Sequence, residues 1–173
     1  MDGYGKRGAD EYEKLVPLEL RNYVEAMATV ARENLERDGK LTPVAFIGTM
    51  DGNGTMLGGL AGLGKDGSAR AIRAFAKKLD ADFVLHIDEA WTTSTTDKDE
   101  VARLREKYKE VRLMPGRVDC VMFQLETRVG QFMGLPTREP FGETFTFGPI
   151  NMQFMDHGEG RFVGLLPPLG KGH

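Results

Sequence analysis

The sequence has a single cysteine, no long apolar run and no excess of basic charge. Cys120 alone cannot form an intrachain disulfide, and the chain lacks the paired CxxC spacing of a zinc site. Because no stretch of about 18 apolar residues is present, the sequence predicts no membrane span. The 23 basic and 26 acidic residues give a net charge of −3. A nucleic-acid-binding domain needs a basic surface, so we expect no nucleic-acid partner.

The composition is typical of one globular domain in a reducing compartment. Apolar residues make up 40% of the chain and charged residues 28%, a balance that allows a sizeable core. Residues 1–14 lack the apolar region of a secretory signal. Together with the lone cysteine, this predicts a cytoplasmic protein. We expect a poorly ordered lead-in at 1–15, a single domain at 16–167 and a tail at 168–173.

Two amphipathic helices are predicted in the first half of the chain. The first begins at Pro17 and stops before Gly39. The second runs over 66–79, with Asp66 as the expected N-cap. A third, charged helix, capped by Thr96 with Asp99, is expected to end near 108 on the surface. The apolar stripe of the first helix contains Leu20, Tyr23, Val24, Met27, Val30, Ala31 and Leu35.

Alternating and β-branched segments predict the strands. The turn Asp51-Gly52-Asn53-Gly54 favours a hairpin between the first two strands. The returning strand is expected at a sheet edge, because Gly58 and Gly59 have no side chain to pack. The predicted strands are 41–50, 55–60, 81–91, 117–127, 131–135, 144–147, 151–155 and 161–166.

The order of these elements is helix, hairpin, helix and strand meander. It predicts an α+β two-layer sandwich, with a mostly antiparallel sheet and the helices packed on one face. The order is similar to the profilin-, longin- and roadblock-like arrangement. This similarity concerns topology alone and implies no function.

A glycine-rich segment is similar to a phosphate-binding loop. The residues from Gly59 to Lys65 have the spacing GxxxxGK, and 83–89 is similar to the apolar run, ending in Asp-Glu, that positions magnesium. Asp66 occupies the place where such a loop needs a Ser or Thr hydroxyl. The alternative is a glycine-rich connection followed by a capped helix. We therefore predict that the protein binds no cofactor. If the segment does bind a nucleotide, Gly59, Gly64 and Lys65 are the candidate residues.

Polar side chains on two predicted strands are the candidates for catalysis. If 81–91 and 117–127 pair, His86, Asp88 and Glu126 project from the same face, together with Cys120 and Gln124. A histidine and two carboxylates can bind a divalent metal or perform acid–base chemistry. The alternative, which we favour, is the ordinary solvated face of a one-sided sheet. No metal site is predicted.

Two apolar features are candidates for a partner surface. Trp91, the only tryptophan, is either a core anchor, the more common role, or a binding hot spot at the rim of the sheet. The nine methionines provide either an adaptable apolar surface or core filling. Those in the C-terminal half include Met114, Met122, Met133, Met152 and Met155.

Several short segments along the chain carry a resemblance to other proteins. They are Pro43-Val44-Ala45-Phe46, Lys65-Asp66, Ala81-Asp82-Phe83-Val84, Glu89-Ala90-Trp91, Pro115-Gly116-Arg117, Glu126-Thr127-Arg128, Gly160-Arg161-Phe162 and Leu165-Leu166-Pro167. Together they resemble a group of small prokaryotic proteins that have no assigned reaction. The resemblance extends over about 20–167 and implies no activity. It is consistent with either a host or a phage origin, and it places Lys65-Asp66 at a helix start rather than in a glycine loop.

The sequence thus predicts a non-enzymatic binding or accessory domain that self-associates or binds a protein partner. It contains neither a complete catalytic constellation nor a cofactor fingerprint. The alternative is a small metal- or nucleotide-dependent hydrolase that uses His86, Asp88 and Glu126 on the polar face of strand 81–91.

Overall fold

A computed structural model describes residues 10–93, 97–109, 113, 116–155 and 164–166. A short helical segment at 10–15 precedes the first long helix, and a 3₁₀ turn at Leu60–Leu63 precedes the second. The α-helices are α1 (Leu18–Asp38), α2 (Gly64–Leu79) and α3 (Lys98–Tyr108). The strands are β1 (Val44–Gly48), β2 (Gly54–Leu57), β3 (Phe83–Thr93), β4 (Arg117–Thr127), β5 (Gly130–Gly134), β6 (Arg138–Phe141), β7 (Thr144–Phe147) and β8 (Gln153–Met155).

Six strands form an open antiparallel sheet in the order β2-β1-β3-β4-β5-β8, and β6 and β7 form a separate two-stranded sheet. The predicted α+β class and mostly antiparallel sheet are confirmed, as is the order helix, hairpin, helix and strand meander. The two longest strands, β3 and β4, pair from Phe83↔Thr127 to Thr93↔Arg117. The predicted edge position of the returning hairpin strand, β2, is also confirmed.

Helix α1 begins and ends where the sequence predicts. It follows Pro17, whose fixed φ suits the start of a helix. Gly39 ends it in the left-handed region at φ 75°, and its N–H donates to the Leu35 carbonyl at 2.8 Å. The side chains that α1 buries recur every three or four positions, at Leu20, Val24, Ala28, Ala31 and Leu35.

The two long helices lie on opposite faces of the sheet, so the prediction of helices on one face is wrong. Phe83, Leu85 and Ile87 pack in one core with α1, whereas Val84 packs in a second core with α2. We call these sides the α1 face and the α2 face. The run Val44–Ile47 of β1 explains the difference, because its residues are apolar on both sides and need cover on both.

Helix α1 covers only part of its own face. Its core partners lie in β3, β4 and β5. The β6–β7 hairpin packs beside its second half, where Arg32 Nε donates to the Phe147 carbonyl at 2.9 Å. Over β1 and β2, the same face presents Phe46 and Met56, which are paired in register. Met56 is 64% exposed, so α1 leaves this side of the β1–β2 hairpin uncovered.

Two helix starts differ from the prediction. The helix α2 begins two residues earlier than expected, so its N-cap position is Leu63 rather than Asp66, and no side chain caps it. In α3 the cap is Asp97, whose carboxylate accepts the N–H groups of Asp99 and Glu100. Thr96, the predicted cap, lies outside the described residues.

The chain ends are described only in part. The first nine residues of the predicted lead-in and the whole tail at 168–173 lie outside the described residues. Residues 10–15 are helical, and the Tyr12 ring packs on Phe132 with centroids 5.5 Å apart, so this part joins the core. Of the predicted strand 161–166, residues 164–166 are described and are not a strand. Among the helices of the described ranges, none has the length and apolar character to cross a membrane.

Candidate functional site

The predicted polar face lies on the α2 face of the sheet. His86 is opposite Gln124, and Asp88 and Glu126 lie two positions away from this pair in opposite directions. At ~3.4 Å per residue, the rows that contain Asp88 and Glu126 are about 14 Å apart along the strands. The three candidate side chains therefore share a face but do not converge on one point.

The residues at the centre of this face are buried rather than exposed to solvent. His86 is 1% exposed, and Gln124 and Glu126 are also buried. The predicted solvated face is therefore wrong at these residues, because α2 and residues 164–166 cover this side of the sheet. Burial lowers the pKa of His86 from 6.5 to about 4, so its ring is neutral at physiological pH.

Asp88 lies at the more open end of the polar face, where it is half-buried. Its carboxylate accepts the Glu89 N–H at 2.7 Å. Burial raises the pKa of Asp88 to about 6; the charge of Glu89 adds to this rise, and that of Lys65 opposes it. Lys65 belongs to the first turn of α2, so a charge at the end of the glycine-rich segment acts on the polar face.

Glu126 is held by the backbone of the C-terminal segment. Its Oε2 accepts the Leu165 N–H at 2.7 Å. Burial raises the pKa of Glu126, while hydrogen bonding from the Leu165 and Leu166 backbone and the Gln131 side chain, together with the charge of Arg73, opposes the rise. Leu165 is buried in the core with α2. The carboxylate thus anchors 164–166 across the sheet.

Across the described ranges, no group of three or more His, Cys, Asp or Glu side chains is placed to hold a metal ion. Cys120 is buried, and burial together with the charge of Asp119 raises the pKa of its thiol to about 11. It is therefore a neutral, small apolar side chain at physiological pH. The remaining histidines, His157 and His173, lie outside the described residues.

The glycine-rich segment forms a compact turn. Gly59 adopts φ 70° before the 3₁₀ turn Leu60–Leu63, and Gly64 adopts φ 69° where α2 begins. A phosphate loop holds its N–H groups open around the anion, whereas a 3₁₀ turn closes on itself through i→i+3 bonds. Gly59, Gly64 and Lys65 are exposed, but the backbone between them does not form an open cradle.

Trp91 lies at the far end of β3, outside the core. It is 46% exposed, and the Arg117 guanidinium lies 5.4 Å from its ring centroid. The core-anchor interpretation is therefore wrong. β1 pairs with β3 only as far as Ile87, so the strand continues beyond the core and places Trp91 at the rim. A partner-binding role for this residue stays a prediction.

The methionines of the C-terminal half do not form an exposed surface within the described residues. Met152 is buried in the core, and Met122, Met133 and Met155 are half-buried. Met114 lies outside the described residues. Met152 therefore serves in core filling, which is the other role that the sequence allows.

An apolar groove runs beside α1, over the uncovered side of β1 and β2. Its larger part has a volume of about 570 Å³ and lies beside the first half of α1, and a smaller part of about 270 Å³ continues along the second half. Met27, Phe46 and Met56 line both parts, so we treat them as one α1 groove. Between Glu19 and Asp38 the groove is about 28 Å long, at ~1.5 Å per residue of α1.

Aromatic rings and flexible side chains line the α1 groove. Tyr23 contacts Phe46 and Phe83 edge-on, with ring centroids 6.1 and 5.7 Å apart. Val30 and Met56 are 45% and 64% exposed. Polar groups at the rim include Glu19, Thr49, Asn53 and Asn34. A groove with exposed apolar side chains in it and polar groups at its rim is typical of a binding surface.

The sequence contains a signal for this groove in the width of an apolar stripe rather than in its period. The apolar stripe of α1 is wider than one core-facing side, because Tyr23, Met27 and Val30 lie beside the fully buried positions. The width of such a stripe indicates a second apolar contact. Met56 adds a second signal, since it is a large apolar residue on a predicted edge strand.

Comparison with models of protein families, with curated proteins and with solved structures finds no match to this chain.

Proposed function

We propose that this protein is a non-enzymatic binding domain that holds a protein partner in the α1 groove. The observation that carries the proposal is the α1 groove, whose two adjoining parts share the lining residues Met27, Phe46 and Met56. Val30, Met50 and Met56 are exposed in it. Self-association, in which the partner is a second copy, is the homotypic form of the same function.

The openness of the groove favours a protein over a small molecule. A small-molecule site encloses most of the ligand surface. In the α1 groove, Met50 and Met56 are 43% and 64% exposed, so a ligand here would stay open to solvent along the side of β2. A protein partner covers such an open side with its own surface. Methionine-rich surfaces suit this role because their side chains adapt to the partner.

The buried polar face supports the non-enzymatic part of the proposal. Glu126 is committed to the backbone of 164–166, and His86 is enclosed. A catalytic site needs its acid and base within hydrogen-bond reach of one substrate position. The separation of Asp88 from Glu126 along the strands does not provide such a position.

A selection from a library of random displayed peptides tests the proposal. The immobilised proteins are the wild type, a groove variant with Val30→Asp and Met56→Asp, and a control variant with Leu63→Asp and Val129→Asp. All four positions are exposed, so we expect both variants to keep the wild-type melting temperature. We expect peptides that bind the wild type and the control but bind the groove variant at least about tenfold more weakly. Peptides that are indifferent to the groove substitutions contradict the proposal.

The mass in solution identifies the homotypic form. If the partner is a second copy, light scattering will show a dimer of the wild type that Met56→Asp dissociates and Val129→Asp does not. A dimer that persists equally in both variants shows that self-association uses another surface.

A second candidate function is the small metal- or nucleotide-dependent hydrolase. The observation that favours it is the half-buried Asp88, whose pKa burial raises to about 6 against the opposing charge of Lys65, because perturbed carboxyls are common at active sites. If this hypothesis is correct, magnesium with ATP or GTP will raise the melting temperature of the wild type but not that of Lys65→Ala. A melting temperature of the wild type that stays unchanged with these nucleotides, and with divalent metal ions alone, rejects it.

A further inference from the structure

We infer that the occupant of the α1 groove is one amphipathic α-helix of a partner protein, with a basic residue at the end that lies over Glu19. This inference rests on the proposed function and adds the shape and charge of the partner.

The width of the groove matches one helix. Neighbouring strands lie ~4.8 Å apart, so the two strands under the groove span about 10 Å, and packed helices lie about 8–10 Å apart. α1 covers β3, β4 and β5 on this face. The next helix position on the same face is therefore directly over β1 and β2, where Phe46 and Met56 form the floor.

The wall of the groove has helical spacing. Tyr23, Met27 and Val30 follow one another at intervals of four and three residues along α1 and line the groove. A helix that lies along this wall meets it with apolar side chains at i, i+3 or i+4, and i+7. At about 28 Å, the groove accepts about 19 residues of helix.

The charges of the groove differ between its two ends. At the end where α1 begins, Glu19 lines the groove and Asp51 lies in the adjoining β1–β2 turn. A hydrogen bond from the Thr49 hydroxyl lowers the pKa of Asp51, so it is ionised. At the other end, Asp38 is paired with Arg37 at 3.0 Å, and Lys40 also lines the groove. The α1 dipole offsets part of one charge at the first end, and the remaining negative charge favours a basic side chain there.

An extended strand would bind elsewhere. A strand added to the edge of β2 lies beside the sheet in its plane, whereas the groove lies above the sheet, on the α1 face. β2 has four residues (Gly54–Leu57), so its edge offers few backbone groups for pairing. A helix uses the full apolar lining, and a strand does not.

The test uses the random-peptide selection with peptides of about 19 residues, which match the length of the groove. Enriched peptides that require the groove should have apolar residues at helical spacing, with Lys or Arg near one end. In a synthetic copy of such a peptide, a central proline should weaken binding at least about tenfold, because proline breaks the helix. A selection on Glu19→Lys should replace the basic end residue with Asp or Glu, whereas Glu33→Lys, an exposed position on α1 outside the groove, should leave it basic.

Each other outcome is decisive. Groove-dependent peptides with alternating apolar residues and no sensitivity to proline overturn the helix and leave the proposed function standing. A basic preference that Glu19→Lys does not change overturns the assigned charge contact. A wild-type dimer that Met56→Asp dissociates assigns the groove to a second copy and overturns the partner helix. A selection without groove-dependent peptides overturns both the inference and the proposed function.

Discussion

His86 and Asp88 are neighbours on one face of β3, and burial moves their pKa values in opposite directions. The buried histidine loses its proton more readily than in water, and the half-buried carboxyl keeps its proton to a higher pH. In both side chains, the low polarity of the surroundings disfavours the charged form. Each shift has a consequence that can be measured without knowing the function.

For His86 we expect a neutral ring down to about pH 5, because its pKa lies near 4. Imidazole NMR spectra of the wild type measure this directly, and His86→Gln identifies the resonance by its loss. The folded pKa is lower than the ordinary value of 6.5, so the unfolded chain binds the proton first as the pH falls. The free energy of unfolding therefore decreases as the pH falls from 6.5 to about 4, because of His86. A His86 resonance that titrates near pH 6.5 contradicts its enclosure.

For Asp88→Asn we expect a more stable protein at neutral pH. The folded pKa, about 6, is higher than the ordinary 3.8, so the unfolded chain releases its proton first and stability falls as the pH rises through this window. The amide avoids this loss and still accepts the Glu89 N–H. After allowance for partial exposure, the gain at pH 7 is about 1–2 kcal/mol.

Urea unfolding at pH 4 and pH 7 measures the effect of Asp88→Asn, with Glu139→Gln, an exposed carboxyl, as the control. The gain should appear at pH 7 and be mostly lost at pH 4. A variant that is less stable than the wild type at pH 7 indicates that the carboxylate has a favourable partner.

Sequence alone predicts which residues share the polar face, but not their environment. The alternation of β3 and β4 places His86, Asp88 and Glu126 on one side, as the register confirms. Their burial depends on α2 and on residues 164–166, which are distant in the sequence. The core-anchor prediction for Trp91 fails for the same reason, because the exposure of this residue depends on where β1 stops pairing with β3.

At the scale of elements, Arg138 joins the β6–β7 hairpin to the main sheet. Its guanidinium contacts Glu89 Oε1 at 3.2 Å and Asp119 Oδ2 at 3.0 Å, and it lies 4.0 Å from the centroid of the Phe145 ring. The side chain is 23% exposed. The partly buried guanidinium of Arg138 therefore contacts two carboxylates and one aromatic ring at once.

We expect Arg138→Ala to lower the free energy of unfolding by about 2–3 kcal/mol, because two partly buried carboxylates lose their counter-charge. Lysine cannot reproduce the planar two-pronged contact, so Arg138→Lys should restore only part of the loss. Urea unfolding measures both. The control is Arg103→Ala, whose exposed contact with Glu100 at 3.9 Å should contribute at most about 0.5 kcal/mol. Equal losses in the two alanine variants contradict the role of Arg138.

Element types are predicted well where the local pattern is strong. The limits of β4 and the ends of α1 agree with the prediction because Pro17, Gly39 and strict alternation specify them locally. The placement of α2 on the second face depends on how β1 is covered, which is a property of the packed sheet. The run Val44–Ile47 is apolar on both sides of β1, and this pattern in the sequence indicates that both faces of the sheet are covered there.

At the scale of the whole molecule, the uneven cover of the α1 face creates the groove. α1 and the β6–β7 hairpin fill this face over β3, β4 and β5, and the β1–β2 hairpin has no corresponding cover among the described residues. Three methionines line the groove, at Met27, Met50 and Met56. Met122, Met133 and Met155 do not line it and serve as internal controls.

The most direct test of the groove is NMR of ¹³C-methyl-labelled methionine, titrated with the best peptide from the selection on the wild type. We predict that the methyl signals of Met27, Met50 and Met56 shift on binding, and that the three control methionines keep their positions. The signals are assigned by single Met→Leu substitutions, which largely preserve volume. Shifts at Met122, Met133 and Met155 with unchanged signals from the groove methionines contradict the proposed binding surface.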